Sequence, residues 1–362
     1  MTPIRIDVTS ERGTYPVIIG SGALSRLPQL LDRHRIGSQR LVVSSARVWQ
    51  LQGRRARGLL RRGDGPVMMG VGEGAKTLGT VARLYDACLA RRLDRSGVVV
   101  AFGGGVVGDT AGFAAATWLR GVDFVQIPTT LLAQVDSAIG GKVGVNLPAG
   151  KNLVGAFYSP SLVVCDPDVL ASLPRREFRA GLYEVVKYGI IASRPLFNRV
   201  QSRLDAIFDH DAATLTRVVA DCCRIKADVV TSDERESGHR RILNFGHTVG
   251  HALEAVTGYR RFRHGEAIGY GMLAAARLSA LRGALSEDDE LRIGELVRAL
   301  GRLPAVGDLS ARQALEAIGR DKKVVAGRQH FVLAASIGST VIVNDVTSRE
   351  LVHVMKAIGM RD

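Results

Sequence analysis

The chain has 362 residues, 46% of them hydrophobic, more than one core usually holds, so two domains are expected. Lys and Arg number 49 against 35 Asp and Glu, a formal net charge of +14; such a field suits either a polyanion-binding surface or the capture of small anionic substrates. Residues 1–13 lack the apolar region of a secretory signal, the apolar stretch 98–119 carries glycines and Asp109 unlike a membrane span, and the four cysteines (Cys88, Cys165, Cys222, Cys223) form no C-x-x-C pair; the expectation is a cytoplasmic protein with no membrane partner.

Apolar, β-branched runs recur at residues 17–20, 41–44, 67–70, 98–102, 124–127 and 162–165. Helical-period or glycine-rich segments separate several of them, which predicts an α/β layer with a largely parallel sheet. Arg54, Arg55, Arg57, Arg61 and Arg62 have spacings that predict one solvated helix face. No zinc-finger spacing or RNP-type aromatic motif accompanies them, so no nucleic-acid partner is expected.

The run at 98–102 leads into Gly103-Gly104-Gly105-Val106-Val107-Gly108-Asp109 and a predicted helix from Thr110. Gly103, Gly105 and Gly108 satisfy G-x-G-x-x-G, a spacing that lets backbone N–H groups approach a pyrophosphate at a helix N-terminus. The same glycines could serve close packing alone, and the loop follows several strand candidates rather than the first. Gly140-Gly141-Lys142 and Gly150-Lys151-Asn152 add cations and flexible backbone, which suggests a densely anionic ligand.

After Leu173-Pro174 the texture changes to helix-favouring segments up to about residue 319, with a possible hairpin at 331–343 broken by Gly338-Ser339. The predicted domains are therefore 1–174 and 175–362. Glu184, His247 and His264 supply a carboxylate and two imidazoles, a set that leaves a catalytic metal an open position. His251 lies one helical turn after His247, and the pattern leaves open whether both are ligands or one is a nearby base. Glu184 and Lys187, three apart, also fit an ordinary surface ion pair.

The blocks GGGVVGDTAGFAAATWLRG, IPTTLLAQVDSAIGGKVGVN, GLYEVVKYG, IKADVV, DERE, LNFGHTVGHALE and HGEA stand in one order along the chain. Together they resemble the 3-dehydroquinate synthase family, from Tyr15 through residues 321–323. The resemblance implies α/β plus all-α architecture: a Rossmann-like domain for NAD, then a helical domain for one divalent metal, Zn or Co, with catalysis in the cleft between them. It implies Glu184, His247 and His264 as metal ligands and His251 as a proton-handling residue. The NAD contacts it implies are Glu73 and Lys76 near the nucleoside, Gly104, Gly105, Val106, Val107, Gly108 and Asp109 at the pyrophosphate, then Thr129, Thr130, Lys142, Lys151, Val169, Leu170, Ala171 and Ser172. Its substrate contacts match Arg120, Asp136, Lys142, Asn152, Lys187, Lys226, Arg240, Asn244, His251 and Lys322, with Lys323 an alternative to the last.

The implied substrate is a small anionic sugar-acid phosphate, and the implied assembly a homodimer. Departures from the family pattern stand at Val71, where Asp is frequent, at Ser44-Ser45-Ala46, and at Tyr183, bulkier than the usual Ala. Rival readings are another sugar phosphate cyclase, such as a 2-deoxy-scyllo-inosose or valiolone-type synthase, and a metal-dependent NAD alcohol dehydrogenase. Arg240 and Asn244, at positions expected to meet a substrate carboxylate, stand against another sugar phosphate cyclase.

Overall fold

A computed structural model describes residues 2–60, 63–319 and 330–362. By packing, the chain divides into two compact units: Met1–Pro174 with Ala206–Arg235, and Arg175–Asp205 with Glu236–Asp362.

Among the described residues the first unit contains nine strands: β1 Ile4–Ser10, β2 Gly13–Ile19, β3 Arg40–Ser45, β4 Val67–Met69, β5 Val98–Gly103, β6 Asp123–Pro128, β7 Lys142–Leu147, β8 Gly150–Phe157 and β9 Leu162–Cys165. Seven of them form one sheet in the order β1-β2-β9-β6-β5-β3-β4. All neighbours run parallel except β1 and β2. Parallel strands covered on both faces read as continuous apolar runs, and β5, buried at every residue, is the clearest case. β1 was not among the expected strands. It alternates in burial, Ile6 and Val8 inward and Arg5 and Asp7 outward, so what reads as a polar start to the chain is a half-buried antiparallel strand.

The glycine-rich stretches after residue 140 also form a hairpin, β7 against β8. The helix Ala212–Ser232, helical as expected, packs on β1 in this unit. Thr9 N–H donates to Thr231 Oγ1 at 3.2 Å, and Arg235 meets Glu11 in a bidentate ion pair. The arginine cluster corrects the expected helix face: the helix Ala46–Gln52 stops before it, Arg54 and Arg55 lie in turns, and Arg57 opens the short 3-10 helix Arg57–Leu59. Arg61 and Arg62 lie outside the described residues.

In the second unit the helices His247–Val256, His264–Leu281, Ala311–Gly319 and Ser348–Ala357 share a core of Leu253, Ala267, Ala274, Leu278, Ile318 and Met355, among others, and the helices Arg175–Ala192 and Glu287–Ala299 pack on His264–Leu281. The hairpin expected at 331–343 is present as β10 Phe331–Ser336 and β11 Ser339–Val343. Helix His264–Leu281 starts in backbone contact with helix Arg175–Ala192: a Cβ added at Gly265 would lie 1.9 Å from the Ala180 carbonyl oxygen. Glycine is required there, and the crossing sets His264 beside Glu184. Among the described residues no helix is long and apolar enough to cross a membrane.

Candidate functional site

In the first unit, β5 ends at Gly103, Gly104 is extended, and the helix Gly105–Thr117 starts without a side-chain cap. Its first N–H groups are therefore free of side-chain competition at the positive end of the helix dipole, the setting that holds phosphate. The glycines also pack closely. A Cβ at Gly108 would stand 2.6 Å from Gln126 Oε1 on β6, and one at Gly103 2.6 Å from the Val107 side chain, so close packing alone already requires glycine at both positions.

Around this loop, Lys76 Nζ donates to Asp109 Oδ2 and Asn152 Oδ1, each at 2.5 Å. Thr129 N–H donates to the Gly103 carbonyl at 2.9 Å, while its buried hydroxyl has no partner among the described residues. Thr130 Oγ1 caps the following turn through Ala133 N–H. Val169, Leu170, Ala171 and Ser172 lie in the 3-10 helix Pro167–Ser172, with Ser172 Oγ bonded to Gln52. Lys226 Nζ donates to both Oδ1 and the backbone oxygen of Asp136 at 2.6 Å. Lys142 begins β7 and Lys151 follows the start of β8. Arg120 sits exposed in a strained turn, with positive φ at Leu119 (48°) and Arg120 (67°).

In the second unit, Glu184, His247 and His264 converge so that one ligand atom from each lies within 4.8 Å of the others. His247 Nε2 is 3.7 Å and His264 Nε2 3.5 Å from Glu184 Oε1. Donors at metal distances of about 2.1 Å on a tetrahedral ion lie about 3.4 Å apart, so the three fit one small divalent cation. The outer nitrogens are held as metal-binding imidazoles usually are. The Phe245 carbonyl, 3.2 Å from His247 Nδ1, can only accept, so Nδ1 carries the proton and Nε2 its lone pair. Glu254 Oε2 stands 3.3 Å from His264 Nδ1, so that nitrogen carries a proton.

Burial disfavours the His264 imidazolium, yet Glu184 and Glu254 on either side outweigh this and hold its pKa up to about 10. A second grouping, His251, Glu254 and His264, is also compact, but it engages the His264 nitrogen already turned to Glu254. His251 stands beside His247, ring centroids 5.3 Å apart.

Lys187 forms an ion pair with Glu184, and both side chains are fully buried. This corrects the surface-pair alternative. The helix that carries them is buried continuously from Ala180 to Ile191, so no face of it is solvated there. Arg240 is buried in the 3-10 helix His239–Asn244, and Asn244 Nδ2 donates to Glu236 Oε1 at 2.5 Å. Arg261 and Arg263, near His264 in sequence, are engaged by Asp308 and Glu177. A groove of about 940 Å³ in this unit is lined by Tyr270, Arg277, Glu290 and Arg298 among others and shares no residue with the constellation.

Residues 66–180 match the family of the 3-dehydroquinate synthase N-terminal domain, and residues 181–324 that of its C-terminal domain. The chain belongs to the 3-dehydroquinate synthase family. A family member from Rippkaea orientalis is 42% identical over 98% of this chain and 97% of its own. Among solved structures, 2-epi-5-epi-valiolone synthase from Streptomyces hygroscopicus, with NAD+ and Zn2+ bound, superposes with TM-score 0.87 at 30% identity over 98% of this chain and 99% of that one. A 2-deoxy-scyllo-inosose synthase complexed with carbaglucose-6-phosphate, NAD+ and Co2+ gives 0.84 at 25% identity over the same shares.

Set against what the family resemblance implies, the structure joins Lys76, Asp109 and Asn152 in one cluster, Asp136 and Lys226 in another, and Glu184, Lys187, His247, His251 and His264 in a third. It joins Arg120 to none of these by a direct bond. Lys322 and its alternative Lys323 lie outside the described residues. Two residues escaped the sequence reading. Glu254, three positions after His251, had a signal in its helical spacing; Asn146, inside a glycine-rich run, had none.

Proposed function

We propose that the chain converts 3-deoxy-D-arabino-heptulosonate 7-phosphate to 3-dehydroquinate and orthophosphate, with NAD and one divalent metal, Zn or Co. The carrying observation is the meeting of Glu184, His247 and His264, with Lys187 on Glu184, in a chain matched along both halves by this family. NAD+ with Zn2+ or Co2+ is what the two related cyclase structures hold. When bound, the metal would supply Lewis acidity to substrate hydroxyl oxygens, and the nicotinamide a reversible hydride acceptor.

In this reading Glu184, His247 and His264 hold the metal, and Gly104 to Asp109 hold the pyrophosphate through backbone N–H groups. Glu73, Lys76, Thr129, Thr130, Lys142, Lys151 and Val169 to Ser172 fix the rest of the dinucleotide. Arg240 and Asn244 take the substrate carboxylate. The cations Arg120, Lys142, Lys187, Lys226 and Lys322, with Asn152, orient the remaining anionic and hydroxyl groups, and Asp136 holds the Lys226 ammonium in place.

Oxidation at C5 acidifies the proton at C6. That proton leaves with the phosphate, a phosphate oxygen taking it, and a bound nicotinamide would supply the hydride that restores the C5 hydroxyl. Ring opening and an intramolecular aldol closure follow, with His251 moving protons. The NAD role belongs to residues 1–174 and the metal role to 175–362, and Lys226 is the exception because its helix packs with the first unit.

The chain is further read as a cytoplasmic homodimer without nucleic-acid or membrane partners. The four cysteines, all free and buried, support a reducing setting, and the homodimer rests on the family resemblance. The +14 charge is assigned to anionic substrate capture.

The test is a paired assay of orthophosphate and NADH on one reaction mixture. One phosphate should appear per substrate consumed, with NAD needed only in catalytic amounts and no steady-state NADH. Stoichiometric NADH without phosphate would replace this reading with that of an alcohol dehydrogenase.

A further inference from the structure

The β7–β8 ladder is irregular where Asn146 stands. Val145 pairs with Val154 and Leu147 with Gly150, so Asn146 alone opposes residues 151–153. Bulges of this kind re-aim side chains and leave ladder groups unpaired. Asn152, inside the bulge, has φ +52°, a left-handed conformation that Asn tolerates. Its N–H is taken by Asn146 Oδ1 at 2.8 Å. The same amide donates through Nδ2 to Glu73 Oε2 at 2.6 Å, and Asn146 N–H donates to the Lys76 carbonyl at 2.8 Å. Lys76 Nζ closes the circuit on Asn152 Oδ1 at 2.5 Å.

We infer that Asn146 is a positioning residue: it holds Glu73 and Lys76 for the dinucleotide and Asn152 for the substrate. The inference rests on the reading of those three as ligand-facing. A primary amide is the short side chain that offers an acceptor and a donor at one site, and the partners fix its orientation, since Asn152 N–H must donate and the Glu73 carboxylate must accept. An aspartate here would still accept from Asn152 but would set its second oxygen against Glu73. The cluster is partly exposed, so its loss should displace ligand groups more than it destabilises the fold.

The experiment measures the NAD+ Kd by calorimetry, substrate KM, kcat and thermal midpoint for the wild type, Glu73→Ala, Asn146→Asp, and Asn146→Asp combined with Glu73→Gln. Asn146→Asp should weaken NAD+ on the order of tenfold and raise KM. Its kcat should change less, and its midpoint should fall by no more than about 4 °C, the scale of one hydrogen bond. In the double variant the new carboxylate accepts from both the Gln amide and Asn152 N–H, so NAD+ binding should recover relative to Asn146→Asp alone. If Glu73→Ala weakens NAD+ while Asn146→Asp leaves Kd and KM at wild-type values, or if the double variant shows no recovery, the positioning role is overturned. If Glu73→Ala leaves the NAD+ Kd unchanged, the ligand reading of the segment falls first and the inference falls with it.

Discussion

The two units build their chemistry in opposite ways. In the first, the proposed anion site is made of backbone: an uncapped helix start after β5, with glycines where a side chain would collide. In the second, it is made of side chains brought from residues 184, 247 and 264 onto one point, with Glu254 and the Phe245 carbonyl fixing the two imidazoles. A backbone site tolerates change in most of its side chains, since the groups that bind are common to every residue. A side-chain site does not, because each donor is unique and its buried neighbours depend on it. Substitution of the three donors in the second unit should therefore damage function, and substitution of the loop glycines in the first should damage packing before chemistry.

The sharpest test is His264→Ala. Removing one of three donors should abolish stable metal binding and lower turnover by several kcal/mol of barrier, about 10³-fold or more. Metal analysis of the purified variant beside its activity checks this, and chelation of the wild type should reproduce the loss, with Zn or Co restoring it. Full metal content and full activity in the variant would break the contrast at its strongest point.

Next in size is Arg240→Ala. Truncating one partner of a buried charge pair should weaken the acidic substrate by roughly 2–4 kcal/mol, while a substrate analogue without the carboxylate is affected far less. Equal losses for both ligands would remove the carboxylate role.

On the first unit's side, Gly108→Ala should lower stability by about 1 kcal/mol. Its new methyl meets Gln126 Oε1 at 2.6 Å, and that side chain can swing only by leaving the Ala138 carbonyl. Denaturant unfolding measures the loss. Metal content should be untouched, and a variant that lost metal would erase the distinction between the two units.

The smallest effect concerns pH and the last helix of the second unit, Ser348–Ala357. The Arg282 guanidinium, bonded to both Glu350 oxygens at 2.7 and 2.9 Å, holds that carboxyl down to about 2, with Thr347 adding to it. A depressed folded pKa contributes stability above the unfolded value near 4.5, and this contribution is lost as pH falls from there toward 2. Arg282→Ala should therefore destabilise at pH 6 by no more than about 1 kcal/mol after solvent screening. The gap from wild type should close toward pH 2, which melting curves across that range would show; a gap that widened in acid would contradict the assignment.

How much of this was legible in the chain follows the same division. The strands covered on both faces announce themselves as apolar runs, and the loop from Gly103 to Asp109 is one contiguous segment whose spacing carries its chemistry. β1 was missed because alternation over seven residues with charges outward looks polar when averaged. The arginine cluster was misread because spacing alone does not reveal that the helix Ala46–Gln52 has already ended.

The amino-acid order by itself determined the class of fold and offered the glycine loop and the metal-type donors as candidates, since each follows from local periodicity or residue chemistry. Only the tertiary structure decided that Glu184 and Lys187 are a dry pair rather than a surface one, that Glu254 serves His264, that Lys226 meets Asp136, and that Asn146 ties Glu73 to Asn152. The physical reason is that burial and donor–acceptor matching belong to residues 3 to 90 positions apart in the chain, and local pattern carries no record of which distant group will stand opposite.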